Sequence, residues 1–188
     1  MEREFCLMQL NIYLKDNEMT IFELFDQAEK MMKERSSEAS KIFEEVLLTY
    51  AGNDLEEIEA EKLQIYALSN YYLFLLSMHK DIARAEMAIK LFEYLISHDK
   101  NNFDILEPYI CVLELTYQFE KSYSFLLSLL NVEATKLIAL KFLSSYIYYA
   151  EGLQSYQTLC EYKKQFYDLT SDPVEKSRLY DELKEFES

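Results

Sequence analysis

The sequence predicts an all-α protein, and three observations carry that expectation. The first is punctuation. The 188 residues hold only two glycines and two prolines, namely Gly52, Gly152, Pro108 and Pro173. Ordinary chains carry roughly 7% Gly and 5% Pro, and two-residue hairpins depend on glycine. A chain this poor in both must turn rarely. The second is spacing: apolar residues recur at helical intervals along almost the whole chain. The third is the placement of Thr20, Asp54, Asp81 and Asp104 in front of successive apolar stripes, where helix N-caps belong.

Taken in order, a first helix is expected over Glu2–Leu14, with Phe5, Leu7, Met8, Ile12 and Tyr13 as its apolar face. Thr20-Ile21-Phe22-Glu23 has capping-box spacing, so a second helix starts there and runs to Lys33. Asn17-Glu18-Met19 leaves an earlier start open. Ser36-Ser37-Glu38 opens a third, with Ile42, Phe43, Val46 and Leu47 on one stripe, and Gly52 sits where a left-handed cap belongs. Asp54 caps a fourth, whose first turns are rich in carboxylates that the helix dipole favours. From Tyr66 to Met78 that helix is apolar on every side, so it is expected to be central and buried, Leu73 and Leu76 included.

Asp81 caps a fifth helix, with Ala85 and Ala88 early and Leu91, Phe92 and Leu95 late. Asp104 caps a sixth, and Pro108 falls in its first turn, where a missing N–H costs little. A seventh covers Phe119–Leu130, an eighth Glu133–Ala150 ending at Gly152, and a ninth Gln154–Leu169. The last follows Pro173 to Phe186 on the thin stripe Val174, Leu179, Leu183 and Phe186, as suits the terminal cap of a stack. These about ten helices pair as antiparallel hairpins in a tetratricopeptide-like right-handed superhelix, one repeat domain over residues 1–188. The regular 34-residue consensus is not met, because Trp is absent.

Charge narrows the partners. Nineteen basic against 34 acidic side chains leave a net charge of −15. Such a surface repels phosphate backbones and anionic membranes, so no direct nucleic-acid binding and no membrane association are expected of this chain. Cys6, Cys111 and Cys160 are scattered and odd in number, which suits free thiols in a reducing cytoplasm rather than a disulfide framework. The N-terminal Met1-Glu2-Arg3-Glu4-Phe5 carries acid where a signal peptide carries base.

Chemistry-bearing motifs are missing. His79 and His98 follow helix ends, with no His-x-x-x-His and no Cys-x-x-Cys, so neither a metal nor a cofactor is expected. Isolated glycines cannot form a phosphate loop, and no Gly-x-Ser-x-Gly occurs. No catalytic residue stands out, and a non-enzymatic role is expected. The aromatic excess is the remaining signal: sixteen Tyr and twelve Phe. Neighbouring tyrosines on a helix diverge by about 100°, so part of the set is expected to line a groove. The candidate peptide-binding residues are Asn70, Tyr71, Tyr109, Tyr146 and Tyr149. Asn70 would hold a peptide backbone with a donor and an acceptor, and the tyrosines would supply apolar area and hydroxyls. An apolar or basic ligand suits the net field.

Two stretches resemble a known family. Leu91-Phe92-Glu93-Tyr94-Leu95-Ile96-Ser97-His98-Asp99-Lys100-Asn101-Asn102-Phe103-Asp104-Ile105-Leu106 and Ala139-Leu140-Lys141-Phe142-Leu143-Ser144-Ser145-Tyr146-Ile147-Tyr148-Tyr149-Ala150-Glu151-Gly152 are similar to the C-terminal, tetratricopeptide-like regulatory region of the Rgg/GadR/MutR transcriptional regulators. The resemblance implies a ligand-sensing domain that binds a peptide or protein and forms a homodimer. The family's N-terminal helix-turn-helix has no counterpart in these residues, and its middle-turn Trp is missing. A plain tetratricopeptide-like interaction scaffold without a signalling ligand is the alternative.

Overall fold

The computed structural model describes residues 20–49, 54, 57–99, 102–145, 149 and 152–187. Among them are nine helices and no strand. In chain order these are α1 (Ile21–Lys33), α2 (Ala39–Leu48), α3 (Ala60–Leu76), α4 (Ile82–His98), α5 (Phe103–Leu115), α6 (Phe119–Leu130), α7 (Lys136–Leu143), α8 (Tyr156–Leu169) and α9 (Pro173–Glu187). The expected first helix and the Gly52 cap lie outside the described residues. The chain divides into two compact units, Met1–Val112 and Leu113–Ser188.

In the first unit α1 packs on α2, α2 on α3, α3 on α4, and α1 also on α3. The capping box forms as expected. Thr20 N–H donates to Glu23 Oε2 at 2.6 Å, and Glu23 N–H donates to Thr20 Oγ1 at 3.3 Å. The Thr20 N–H, and then the Thr20 hydroxyl, which donates to the same Glu23 oxygen at 3.0 Å, hold the Glu23 carboxyl below the ordinary range. Asp81 caps α4 by accepting the Arg84 N–H at 3.2 Å. Ala85 and Ala88 are sealed, and such small side chains let helix axes approach closely. α3 is buried on nearly every side, from Leu63 through Phe74. A run of ring contacts crosses the unit: Phe25–Phe43, Phe43–Tyr72, Tyr72–Tyr71, Tyr71–Phe92 and Phe92–Tyr109, at 5.2–6.3 Å between centroids.

In the second unit α6 packs on α7, α7 on α8, and α8 on α9. Leu140, Phe166 and Leu179 form its core, with Leu130, Tyr162 and Tyr167 against them.

Several boundaries differ from expectation. α3 begins at Ala60 rather than just after Asp54, whose carbonyl instead closes a turn with the Glu57 N–H. Pro108 sits in the second turn of α5, because that helix starts at Phe103. The expected eighth helix starts at Lys136 and stops at Leu143. There Ser144 Oγ donates to the Lys141 carbonyl, a local bond that competes with helix continuation. Gln154 Nε2 then donates to the Leu143 carbonyl at 3.0 Å.

α3 also ends two residues early. Met78, expected inside it, is at φ 54° and His79 at φ 64°. Leu76 is 39% exposed, against 7% for Leu73, so its expected burial is corrected: it is the last residue of α3 and faces solvent. The Met78 N–H bonds the Leu75 carbonyl and the His79 N–H the Phe74 carbonyl. That pair of bonds is a Schellman cap. The same pair recurs after α1, around Arg35 (φ 59°), and after α5, around Tyr117 (φ 61°). Three helices thus end on left-handed residues that are not glycine. Gly152 is outside the left-handed region, with open space around it.

Candidate functional site

Four of the five residues expected to bind a peptide are described, and the helices bury all of them. Tyr146 lies outside the described residues. Asn70 is fully buried on α3. Its Nδ2 donates to the Tyr66 carbonyl at 2.9 Å, and its Oδ1 accepts from Arg84 Nη1 at 3.3 Å. Its donor and acceptor are thereby engaged within the fold. Tyr149 is also fully buried. Its hydroxyl donates to Glu114 Oε1 and lies 2.8 Å from Ser122 Oγ, and its ring lies 5.5 Å from that of Tyr123. Tyr71 and Tyr109 belong to the ring series of the first unit. The expected exposure of Asn70 and Tyr149 on a groove wall is therefore corrected. Their polar atoms find partners inside the chain, which is what permits such groups to be buried.

The tyrosine excess has a different use. Tyr72 donates to Glu29 at 2.6 Å, tying α3 to α1, and Tyr109 donates to Glu93 at 2.9 Å, tying α5 to α4. Tyr149 does the same with Glu114 in the second unit. A tyrosine puts its ring in the core and its hydroxyl on a carboxylate at the margin. Burial first, then the partner carboxylates, hold the phenols of Tyr72 and Tyr109 well above the ordinary tyrosine range. Burial also raises the Glu114 carboxyl, and the bond from Tyr149 acts in the opposite direction.

A site open to solvent lies between α8 and α9. Ser155 caps α8 by accepting the Thr158 N–H at 3.2 Å. Tyr156, Leu159 and Lys163 then follow at i, i+3 and i+7, so they share a face. Leu179, Glu182 and Phe186 answer with the same spacing on α9. Leu159 and Leu179 are sealed. Between the two helices opens a cavity of about 540 Å³, lined by Tyr156, Lys163, Glu182, Glu185 and Phe186.

Lys163 is only 2% exposed, a rare state for lysine unless it is paired. Its Nζ donates to Glu182 Oε2. Glu182 Oε1 accepts in turn from Arg178 Nη1 at 2.6 Å, and Arg178 also holds Glu175. Burial alone would raise the Glu182 carboxyl, but the bonds and charges of Lys163 and Arg178 hold it below the ordinary range. At the mouth the rings of Tyr156 and Phe186 stand 6.2 Å apart, inclined at 57°. The sequence pattern does not place Lys163 or Tyr156 in the candidate peptide-binding set. The available signal was a lysine in an apolar register, between Leu159 and Phe166 on a stripe that is otherwise core.

A smaller cavity of about 360 Å³ lies in the first unit, lined by serines of the α1–α2 turn together with Leu73, Leu76, Asp81 and Arg84. Of these, Arg84 is the residue that donates to Asn70. Among the described residues no three His, Cys, Asp or Glu side chains gather as metal ligands, and no helix is long and apolar enough to cross a membrane. His98 Nδ1 bonds the Tyr94 carbonyl at 2.8 Å within its own helix. No family model matches the chain, and no curated protein or solved structure shows significant similarity to it.

Proposed function

We propose that this chain is a non-enzymatic helical-repeat domain that binds a peptide or protein. It would act as the sensing part of a regulator, as its resemblance to the C-terminal region of the Rgg/GadR/MutR family implies. One observation carries the reading: the α8–α9 cavity, about 540 Å³ and open to solvent, with aromatic rings at its mouth and a buried lysine paired with Glu182 among its lining. Exposed aromatics around a fixed polar floor suit recognition more than chemistry. The frame agrees, because within each unit helices pack on their neighbours in the chain, the packing of helical repeats such as the tetratricopeptide superhelix.

The docking place moves accordingly, from the buried Asn70, Tyr71, Tyr109 and Tyr149 to Tyr156 and Phe186. Selection of short random peptides on the immobilised chain tests the reading. Selected peptides should slow hydrogen exchange in α8 and α9, and Tyr156→Ala should weaken their capture while the helical circular dichroism is retained. Failure to select any peptide, or capture indifferent to that substitution, would overturn it. Self-association, implied by the same resemblance, is read by sedimentation equilibrium.

A further inference from the structure

We infer that the cavity of the first unit binds a free α-amino acid with an aliphatic side chain. Its carboxylate would meet Arg84, its ammonium Glu44, and its side chain Leu73 and Leu76. The inference goes beyond the peptide reading, since it concerns another cavity in another unit. The cavity, about 360 Å³, is built where α2 packs on α3 and α3 on α4. Helical spacing gathers its lining in pairs. Ser40 and Glu44 are four apart on α2, Leu73 and Leu76 three apart on α3, and Asp81 and Arg84 three apart at the start of α4. Residues at those spacings share a helix face.

Which polar groups are already engaged decides the ligand. The Ser77 hydroxyl donates to the Phe74 carbonyl and accepts the Lys80 and Asp81 N–H groups. Asp81 caps α4 through Oδ1, and its Oδ2 lies 3.9 Å from Arg84 Nε. Ser40 donates to the Ser37 carbonyl. Other groups stay open. Arg84 Nη1 is anchored on the sealed Asn70 at 3.3 Å, but Nη2 donates to none of the described residues. The Ser37 hydroxyl bonds none of them either. The exposed Glu44 carboxylate forms no hydrogen bond or ion pair with any described residue, Arg84 included. Opposite charges thus line one cavity without pairing to each other, and a ligand that carries both signs satisfies both. A guanidinium–carboxylate bond is among the stronger kinds, and the N-terminal ends of α2 and α4 border the cavity with positive partial charge. A plain anion would leave Glu44 repelling it, and a plain cation would leave Arg84 doing so. Both charges sit on one carbon in a free amino acid, whereas inside a peptide chain they are consumed in amide bonds. An aliphatic side chain laid on the exposed Leu76 removes apolar surface from water. The volume lies at the small end of ligand pockets, which run from about 300 to 1,000 Å³.

Titration calorimetry on the full chain tests this with L-leucine and its fragments: 4-methylpentanoate, which lacks the ammonium, 3-methylbutylamine, which lacks the carboxylate, and glycine, which lacks the side chain. Location is read from backbone amide shifts. Leucine should bind about 5- to 30-fold tighter than the amine, because Arg84 is half-buried and charge-assisted. It should bind about 2- to 5-fold tighter than the acid, because Glu44 is exposed and screened. Glycine should bind about 5- to 20-fold more weakly than leucine. Leucine should shift the amides of Ser36, Ser37, Asp81 and Arg84. In Glu44→Gln, leucine and 4-methylpentanoate should bind equally; in Arg84→Gln, leucine and the amine should. Arg84→Gln also removes a partner of the buried Asn70, so the fragments on the unaltered chain and Glu44→Gln on the exposed face of α2 carry the test without it. No binding of leucine, isoleucine or valine overturns the inference. So does leucine binding no tighter than either fragment, a preference over 4-methylpentanoate that survives Glu44→Gln, or shifts confined to α8 and α9. None of these results bears on the peptide reading, which rests on Tyr156 and Phe186.

Discussion

Removing a single oxygen from Tyr149 tests how the second unit is held. In Tyr149→Phe the ring remains, with its 5.5 Å contact to Tyr123, but the links to Glu114 and Ser122 are lost. Both partners are buried. A hydrogen bond to a charged group contributes about 1.5–3 kcal/mol and a neutral one about 0.5–1.5 kcal/mol, so the expected loss near neutral pH is about 2–4 kcal/mol. The loss should depend on pH. Burial raises the Glu114 carboxyl above its unfolded value, so the folded state binds that proton more tightly. This group therefore favours folding at pH below its unfolded value, and the contribution fades as pH rises through the folded value. Protonated Glu114 needs the phenol less, so Tyr149→Phe should cost less at about pH 5 than at about pH 7.5. Urea denaturation at both pH values reads the difference. In a Glu114→Gln background the cost should fall to about 1 kcal/mol. A loss under about 0.5 kcal/mol near neutral pH, or one that ignores pH and Glu114 alike, would refute the reasoning.

Burial separates two leucines one turn apart on α3. Leu73→Ala should destabilise by about 2–4 kcal/mol and Leu76→Ala by under about 1 kcal/mol in the same denaturation assay; equal losses would contradict the early end of α3. Arg35→Gly should raise stability by about 0.5–1 kcal/mol, because a glycine at φ 59° avoids the left-handed penalty. A decrease would show that the arginine side chain contributes more than the backbone strain removes. Glu182→Gln should cost about 1–2 kcal/mol, a buried-pair loss reduced because Glu182 is partly exposed and the loss is screened by solvent. Because its folded value is lowered, the Glu182 contribution is present above the unfolded value and disappears as pH falls through the folded one. The acid limb of the stability profile should therefore flatten in Glu182→Gln, and an unchanged limb would place the acid sensitivity elsewhere.

Local signals read directly from the sequence where the physics was local. The capping box at Thr20, the Asp81 cap and the buried course of α3 as far as Phe74 each depend on residues within about a turn or two of one another, and each appears as expected. Scarcity of glycine announced an all-helical chain. It did not announce that Arg35, Met78 and Tyr117 would take the left-handed cap positions while Gly152 stays outside them. The choice follows from where each helix must stop to pack, and packing is a property of the whole. The same holds for the site. Tyr149 and Tyr156 are alike as letters near helix ends. One is sealed because Glu114 and Ser122, 35 and 27 positions earlier, meet its hydroxyl. The other is left at a cavity mouth because α9 returns Phe186 beside it. Periodicity assigns a residue to a face. Only the approach of distant helices decides whether that face closes on a partner or stays open to a ligand.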